Sequence, residues 1–128
     1  METFLSSFSS FSVDNLQEAM DFYVNSLGLD LADEKMGLTF SLPGGGRLFI
    51  YEKANHAPAG FTVLNFVVED IETVVDEYVE KGITFERYES LPAEQDERGI
   101  LRGKDAGDGP DIAWFTDPDG NILSLIEE

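Results

Sequence analysis

The sequence contains no cysteine, which excludes disulfides, thiolate nucleophiles and thiolate metal sites together. Histidine is nearly as scarce. With His56 alone, there is no imidazole set to hold a metal, and a Ser-His-Asp triad would have to draw its base from a linker. Positive charge is sparse as well, with 8 Lys+Arg against 26 Asp+Glu and a formal net charge of -18. Phosphate recognition runs on clustered cations, and here they are scattered along the chain, so nucleic acid and anionic membrane surfaces are excluded as partners. A charged ligand is expected to be a cation. No apolar run approaches the roughly 18 residues of a membrane-spanning helix, and Met1-Glu2-Thr3-Phe4-Leu5 does not open like a secretory leader. The expectation is a cytoplasmic protein.

What is present argues for a folded chain. The 128 residues are 42% hydrophobic and 12% aromatic, too apolar for an acidic disordered tail and enough for one compact domain, 1–128. Between Asn15 and Gly28, the residues Leu16, Ala19, Met20, Tyr23, Val24 and Leu27 recur with the spacing of one apolar helix face. Between Asp70 and Lys81, Ile71, Val74, Val75, Tyr78 and Val79 do the same, with Gly82 as a stop. Val13, Asp21, Tyr23 and Val24 reappear as Val68, Asp76, Tyr78 and Val79, a constant offset of 55 (68 minus 13). Asn15 and Asp70 both stand where a helix N-cap is wanted.

The flanks repeat too. An alternating apolar strand precedes each helix, with Phe11 and Val13 in one and Leu64, Phe66 and Val68 in the other. Three strand candidates follow the first helix (30–34, 38–42 and 47–52), the last two joined by Pro43-Gly44-Gly45-Gly46. Three more follow the second (83–88, 112–115 and 122–126). The expected fold is therefore α+β, two βαβββ modules, 1–56 and 61–128, with a linker over 53–60 that carries His56 and is read as a solvated loop. The halves differ at 89–110, a Gly- and Pro-containing segment with Arg98, Arg102 and Lys104. Its length suits either a functional lid or a disordered insertion. The acids Glu69, Asp70, Glu72, Asp76, Glu77 and Glu80 read as the solvated face of the second helix.

Asp117-Pro118-Asp119-Gly120-Asn121 ahead of a C-terminal strand, Phe22-Tyr23 in a helix closing on Leu27-Gly28-Leu29, and the paired βαβββ modules together resemble the vicinal oxygen chelate superfamily. That superfamily includes glyoxalase I, extradiol dioxygenases, fosfomycin-modifying enzymes and bleomycin-binding proteins. Ile112-Ala113-Trp114-Phe115 resembles members described only as glyoxalase-like. The resemblance implies curved mixed sheets, one helix on each convex face, forming a cup-shaped cavity whose floor holds a divalent ion in the metal-using members. The ion's ligands would fall on Phe8, Ile50, Val63 and Ser124, none of which carries an imidazole or carboxylate. No metal and no cofactor are expected.

The resemblance then implies an apolar floor of Phe8 and Ile50 with Ser10, Asn65 and Ser124 as its polar points. Phe40 and Trp114 are stacking walls or ordinary core, and Arg98 and Arg102 either reach a ligand from the 89–110 segment or pair with the acids around them. Such a concavity suits a small organic molecule. The function implied is small-molecule binding without chemistry, as in the bleomycin-binding members, with a cationic ligand favoured by the charge and a homodimer as the assembly. The alternative is a lyase, isomerase or dioxygenase of the same superfamily acting on a small metabolite.

Overall fold

The computed structural model describes residues 3–128 and divides into two compact units, Met1–Pro58 and Ala59–Glu128. In the first unit, strand β1 (Ser9–Val13) leads into helix α1 (Leu16–Met20), followed by strands β2 (Asp30–Asp33), β3 (Leu38–Ser41) and β4 (Arg47–Glu52). The second unit repeats the plan with β5 (Thr62–Val67), α2 (Ile71–Glu80), β6 (Leu101–Arg102), a short helix α3 (Gly103–Ala106), β7 (Asp111–Thr116) and β8 (Ile122–Glu127). Each unit builds one four-stranded mixed sheet, in the orders β1-β4-β3-β2 and β5-β8-β7-β6. The first strand pairs parallel to the last, and the remaining pairs are antiparallel. This is the expected α+β fold of two βαβββ modules.

Local chemistry sets the helix starts. The Asn15 side chain accepts from the Glu18 N–H at 3.0 Å, and Asp70 accepts from the Thr73 N–H at 3.3 Å and its hydroxyl at 2.8 Å. A second cap comes from the sheet. Glu52 at the end of β4 accepts from the Leu16 N–H, and Glu127 at the end of β8 accepts from the Ile71 N–H, both at 3.0 Å. The final strand of each unit thus satisfies an orphan donor of its helix and fixes the helix on the sheet. The Asp117 to Asn121 turn is closed by the same economy. Asp117, 3% exposed, accepts from the N–H groups of Asp119 and Asn121 and from the Asn121 amide, each at 2.9 Å.

The cores lie between each helix and its sheet. In the first unit Tyr23 packs its ring against Phe11 and Phe40, with centroids 6.1 and 5.9 Å apart, over buried Val13, Leu48 and Ile50. In the second, Tyr78 and Phe85 meet Phe115, each at 5.6 Å, over buried Leu123 and Leu125.

Four expectations need correction. The first helix is not α-helical throughout, because residues Asp21–Ser26 form a π-helix. Its widened turn carries the bulky Phe22-Tyr23 pair, with the two rings edge to face at 5.1 Å and Tyr23 fully buried. The strand expected over 83–88 shrinks to one bridge, Phe85 to Phe115. The Gln95 side chain takes over the ladder there, accepting from the Tyr88 N–H at 2.8 Å and donating to the carbonyls of Glu86 and Gly99 at 3.0 and 2.8 Å. The fourth strand is instead β6, inside the 89–110 segment, which is neither a disordered insertion nor free of the core: Ile100 and Leu101 are 0% and 5% exposed. Finally, His56 is not a solvated loop group. Its Nδ1 lies 2.6 Å from the Ser12 hydroxyl, partly buried against β1.

Candidate functional site

Strand alternation gives each sheet a face its helix does not cover. In the second unit the register sets Asn65 of β5 beside Ser124 of β8, and Ser124 beside Trp114 of β7, so the three form one row across that face. Ser124 is fully buried, and its hydroxyl and the exposed Asn65 amide oxygen are 2.5 Å apart. Trp114 is half-buried. Its indole N–H donates to the Thr62 hydroxyl at 3.1 Å, which fixes the ring plane, and its face meets Tyr88 edge-on with centroids 5.4 Å apart. Phe61, 70% exposed, completes an aromatic-walled cavity of about 260 Å³ with Gly60 and Ile122. Burial, and then the Glu86 charge, raise the Tyr88 hydroxyl above its ordinary pKa, so it stays a neutral donor at physiological pH.

The corresponding face of the first unit is built from different residues. Its row reads Ser10, Phe49 and Thr39 across β1, β4 and β3. Phe49 stacks on Tyr51 at 5.8 Å and takes the edge of Phe8 at 6.5 Å.

The expected site residues are scattered by this geometry. Trp114, Asn65 and Ser124 share one face, and Phe8 and Ser10 share the other unit's face. Phe40 and Ile50 are both 0% exposed on the side occupied by Tyr23, where they belong to the core. Register explains Ile50: the residue of β4 that matches Ser124 is Phe49, one position earlier. Arg98 and Arg102 face acids. Arg98 donates to both oxygens of Asp76 at 3.0 and 3.3 Å. Arg102 joins Glu72, Asp96 (2.8 Å) and Asp111 (3.1 Å). Burial opposes the charge on Arg102, but the hydrogen bonds it donates to Glu72, Asp111 and Asp96 outweigh it and hold the guanidinium protonated. Glu72 and Asp76, read as a solvated helix face, are therefore the anchors of the 89–110 segment. A larger cavity of about 400 Å³ beside them is lined by Glu94, Asp96, Arg102 and Asp105. Its one cation is already engaged.

Sequence reading missed Phe61, Thr62 and Tyr88. The sequence shows Phe61 beside Gly60, but only the fold brings positions 61, 88 and 114 to one wall.

The donor set does not fit the divalent ion the fold family implies. Phe8, Phe49, Val63 and Ser124 offer one hydroxyl among them, and that hydroxyl is engaged with Asn65. Among the described residues, no group of three or more His, Asp or Glu is placed to hold a metal. Nor, among them, is any helix long and apolar enough to cross a membrane.

Two four-stranded mixed sheets, each with one covering helix and the same strand order, define a fold of two βαβββ modules. The chain belongs to the Glyoxalase/Bleomycin resistance protein/Dioxygenase superfamily, whose family model matches residues 7–125. Among solved structures, a member of that superfamily from Sphaerobacter thermophilus DSM 20745 is 25% identical, covering 97% of this chain and 98% of its own, with a TM-score of 0.66. A glyoxalase family protein from Enterococcus faecalis is 24% identical over 98% of each chain, with a TM-score of 0.67. TnmS3, an antibiotic binding protein from Streptomyces sp. CB03234, is 22% identical over 98% of each chain, with a TM-score of 0.66. Among curated proteins, none matches.

Proposed function

We propose that the protein binds a small organic molecule on the uncovered face of its second unit, without a metal and without chemistry on the ligand. The observation that carries this reading is the cavity walled by Phe61, Tyr88 and Trp114, with the Trp114 ring held by Thr62. A mostly apolar recess with a few oriented polar groups suits an aromatic ligand, and exposed ring faces also attract a cation. The excess of acids over bases favours a cationic ligand through long-range steering. That TnmS3 is an antibiotic binding protein of the same fold supports sequestration over turnover. The setting proposed is the cytoplasm and the assembly a homodimer, for which exposed Phe4 and Leu5, at 81% and 99%, supply apolar surface. A sedimentation mass near twice 14.2 kDa is expected.

The test is a thermal-shift screen of cationic glycopeptides, planar aromatic cations and neutral metabolites at low and high salt, followed by calorimetry on each hit. At least one cationic aromatic compound should stabilise the protein in the presence of chelator. Tyr88→Ala and Phe61→Ala should each weaken that compound about tenfold. A ligand bound only when a divalent ion is added, or one released as a changed product, overturns the reading.

A further inference from the structure

A second cavity, of about 190 Å³, lies in the first unit against Phe8, Phe49 and Met36, and two cations reach it, Lys35 and Arg47. We propose that it binds a small amphipathic monoanion, an aromatic carboxylate whose ring lies on Phe8 and Phe49 and whose charge is met by Arg47 and Lys35.

Four observations lead there. First, the cations are not consumed. Acids outnumber bases 26 to 8 in this chain, and Arg98, Arg102 and Lys104 all stand in ion pairs. Yet among the described residues neither Lys35 nor Arg47 has a carboxylate within ion-pair distance of its charged end. Second, Arg47 is held in place by other means: its guanidinium lies 5.3 Å from the Phe8 ring centre and donates to the Ser6 hydroxyl at 3.1 Å. A guanidinium so positioned keeps donors for a carboxylate fork at small entropic cost. Third, the recess is built into the backbone. Gly37 has no Cβ, and one placed there would come within 2.8 Å of the Phe49 ring and 2.7 Å of the Ile50 carbonyl. The missing atom is what lets the ring lie against the turn. Fourth, Met36 adopts φ 63, a left-handed conformation that costs a non-glycine residue about 1 kcal/mol, with its side chain 96% exposed at the cavity's edge. A flexible thioether suits an apolar ligand surface.

The net charge does not forbid an anion here. At physiological ionic strength, fields fade over about 8 Å, so the two cations at the cavity outweigh distant acids, with Asp33 and Glu34 beside Lys35 in the chain as the local opposition.

The probe is 2-naphthoate, compared with neutral 2-naphthamide and cationic 2-naphthylmethylamine, in amide NMR titrations of the full chain. Naphthoate should shift resonances of residues 35–39 and 47–49 saturably below about 10 mM, at least tenfold more tightly than naphthamide. Lys35→Gln and Arg47→Gln should each weaken it at least threefold with the rest of the spectrum unchanged. Equal binding of naphthoate and naphthamide, tighter binding of the amine, no saturable shift, or shifts confined to residues 60–62, 88 and 114 would each overturn the proposal. Because the second unit is read by its own resonances, failure here leaves the Trp114 site standing, and failure there leaves this one.

Discussion

The row across the first unit's uncovered face reads Ser10, Phe49, Thr39, and the matching row in the second reads Asn65, Ser124, Trp114. Under those faces the units agree closely. Strand order, pairing sense and the glutamate that ties the last strand to the helix are all copied. Packing against the helix therefore constrains one side of each sheet, while the other is free to diverge. Divergence has put a hydrogen-bonded Ser124–Asn65 pair and an oriented indole on one unit, and stacked aromatics with a guanidinium on the other.

The sharpest way to break this comparison is at the helix tyrosines, which sit 55 positions apart in the sequence repeat (78 minus 23). Tyr23 is fully buried, whereas Tyr78 is half-buried. Tyr23→Ala should cost about 4 kcal/mol and Tyr78→Ala about half of that, measured by urea unfolding. Equal costs would mean that the cores are more alike than their burial indicates.

Next is the 89–110 segment, which the first unit lacks. Arg102→Met leaves Asp111, with a side chain 7% exposed, short of its cation. A loss of about 2 kcal/mol is expected, with hydrogen exchange rising first in residues 94–106. Unchanged exchange would show that the ion pairs do not anchor the segment.

Smaller is the strain at Met36 in the first unit's β2–β3 turn, where φ is 63. Met36→Gly should stabilise the protein by about 0.5 kcal/mol, and destabilisation would show that the Met36 side chain makes contacts worth more than its strain.

The smallest effect concerns acid. Asn15 caps the first helix with a group that does not titrate, whereas the side-chain and backbone hydrogen bonds of Thr73 lower the Asp70 pKa from 3.8. A lowered carboxylate contributes stability that is complete above its unfolded value and is lost as pH falls through the folded one. Hydrogen bonding to Lys104 and to the Ile71 N–H lowers Glu127 from 4.5 in the same way. Below about pH 4 the second unit's helix should loosen before the first's, and Asp70→Asn should flatten the acid limb of the stability curve. A limb as steep as the parent's would remove Asp70 from the account.

Much of the fold was legible in the sequence because its signals are local or periodic. Asn15, Asp70, the Pro43 to Gly46 turn and the Asp117 to Asn121 turn each do in the structure what their chemistry dictates. The failures were of two kinds. The strand expected over 83–88 gave way to a side chain twelve positions or fewer away, Gln95, whose hydrogen bonds no periodicity encodes. The site suffered from parity, since a shift of one residue in a strand exchanges faces, and Ile50 fell into the core while Phe49 took the open side. The sequence leaves Arg98 and Arg102 open between a ligand and the neighbouring acids, and in the structure Glu72 and Asp76 of α2, with Asp96 and Asp111, engage them. Phe61 and Tyr88 could be found only by folding the chain.

The most direct test of the central claim uses the protein's single tryptophan. Trp114 fluorescence should be quenched saturably when metal-free bleomycin, or a cationic aromatic hit from the screen, is added in the presence of chelator, and Tyr88→Ala should shift that titration about tenfold to weaker binding. If no such compound alters Trp114 emission while one of them still stabilises the protein, the ligand binds elsewhere and the second unit's aromatic face is not the site.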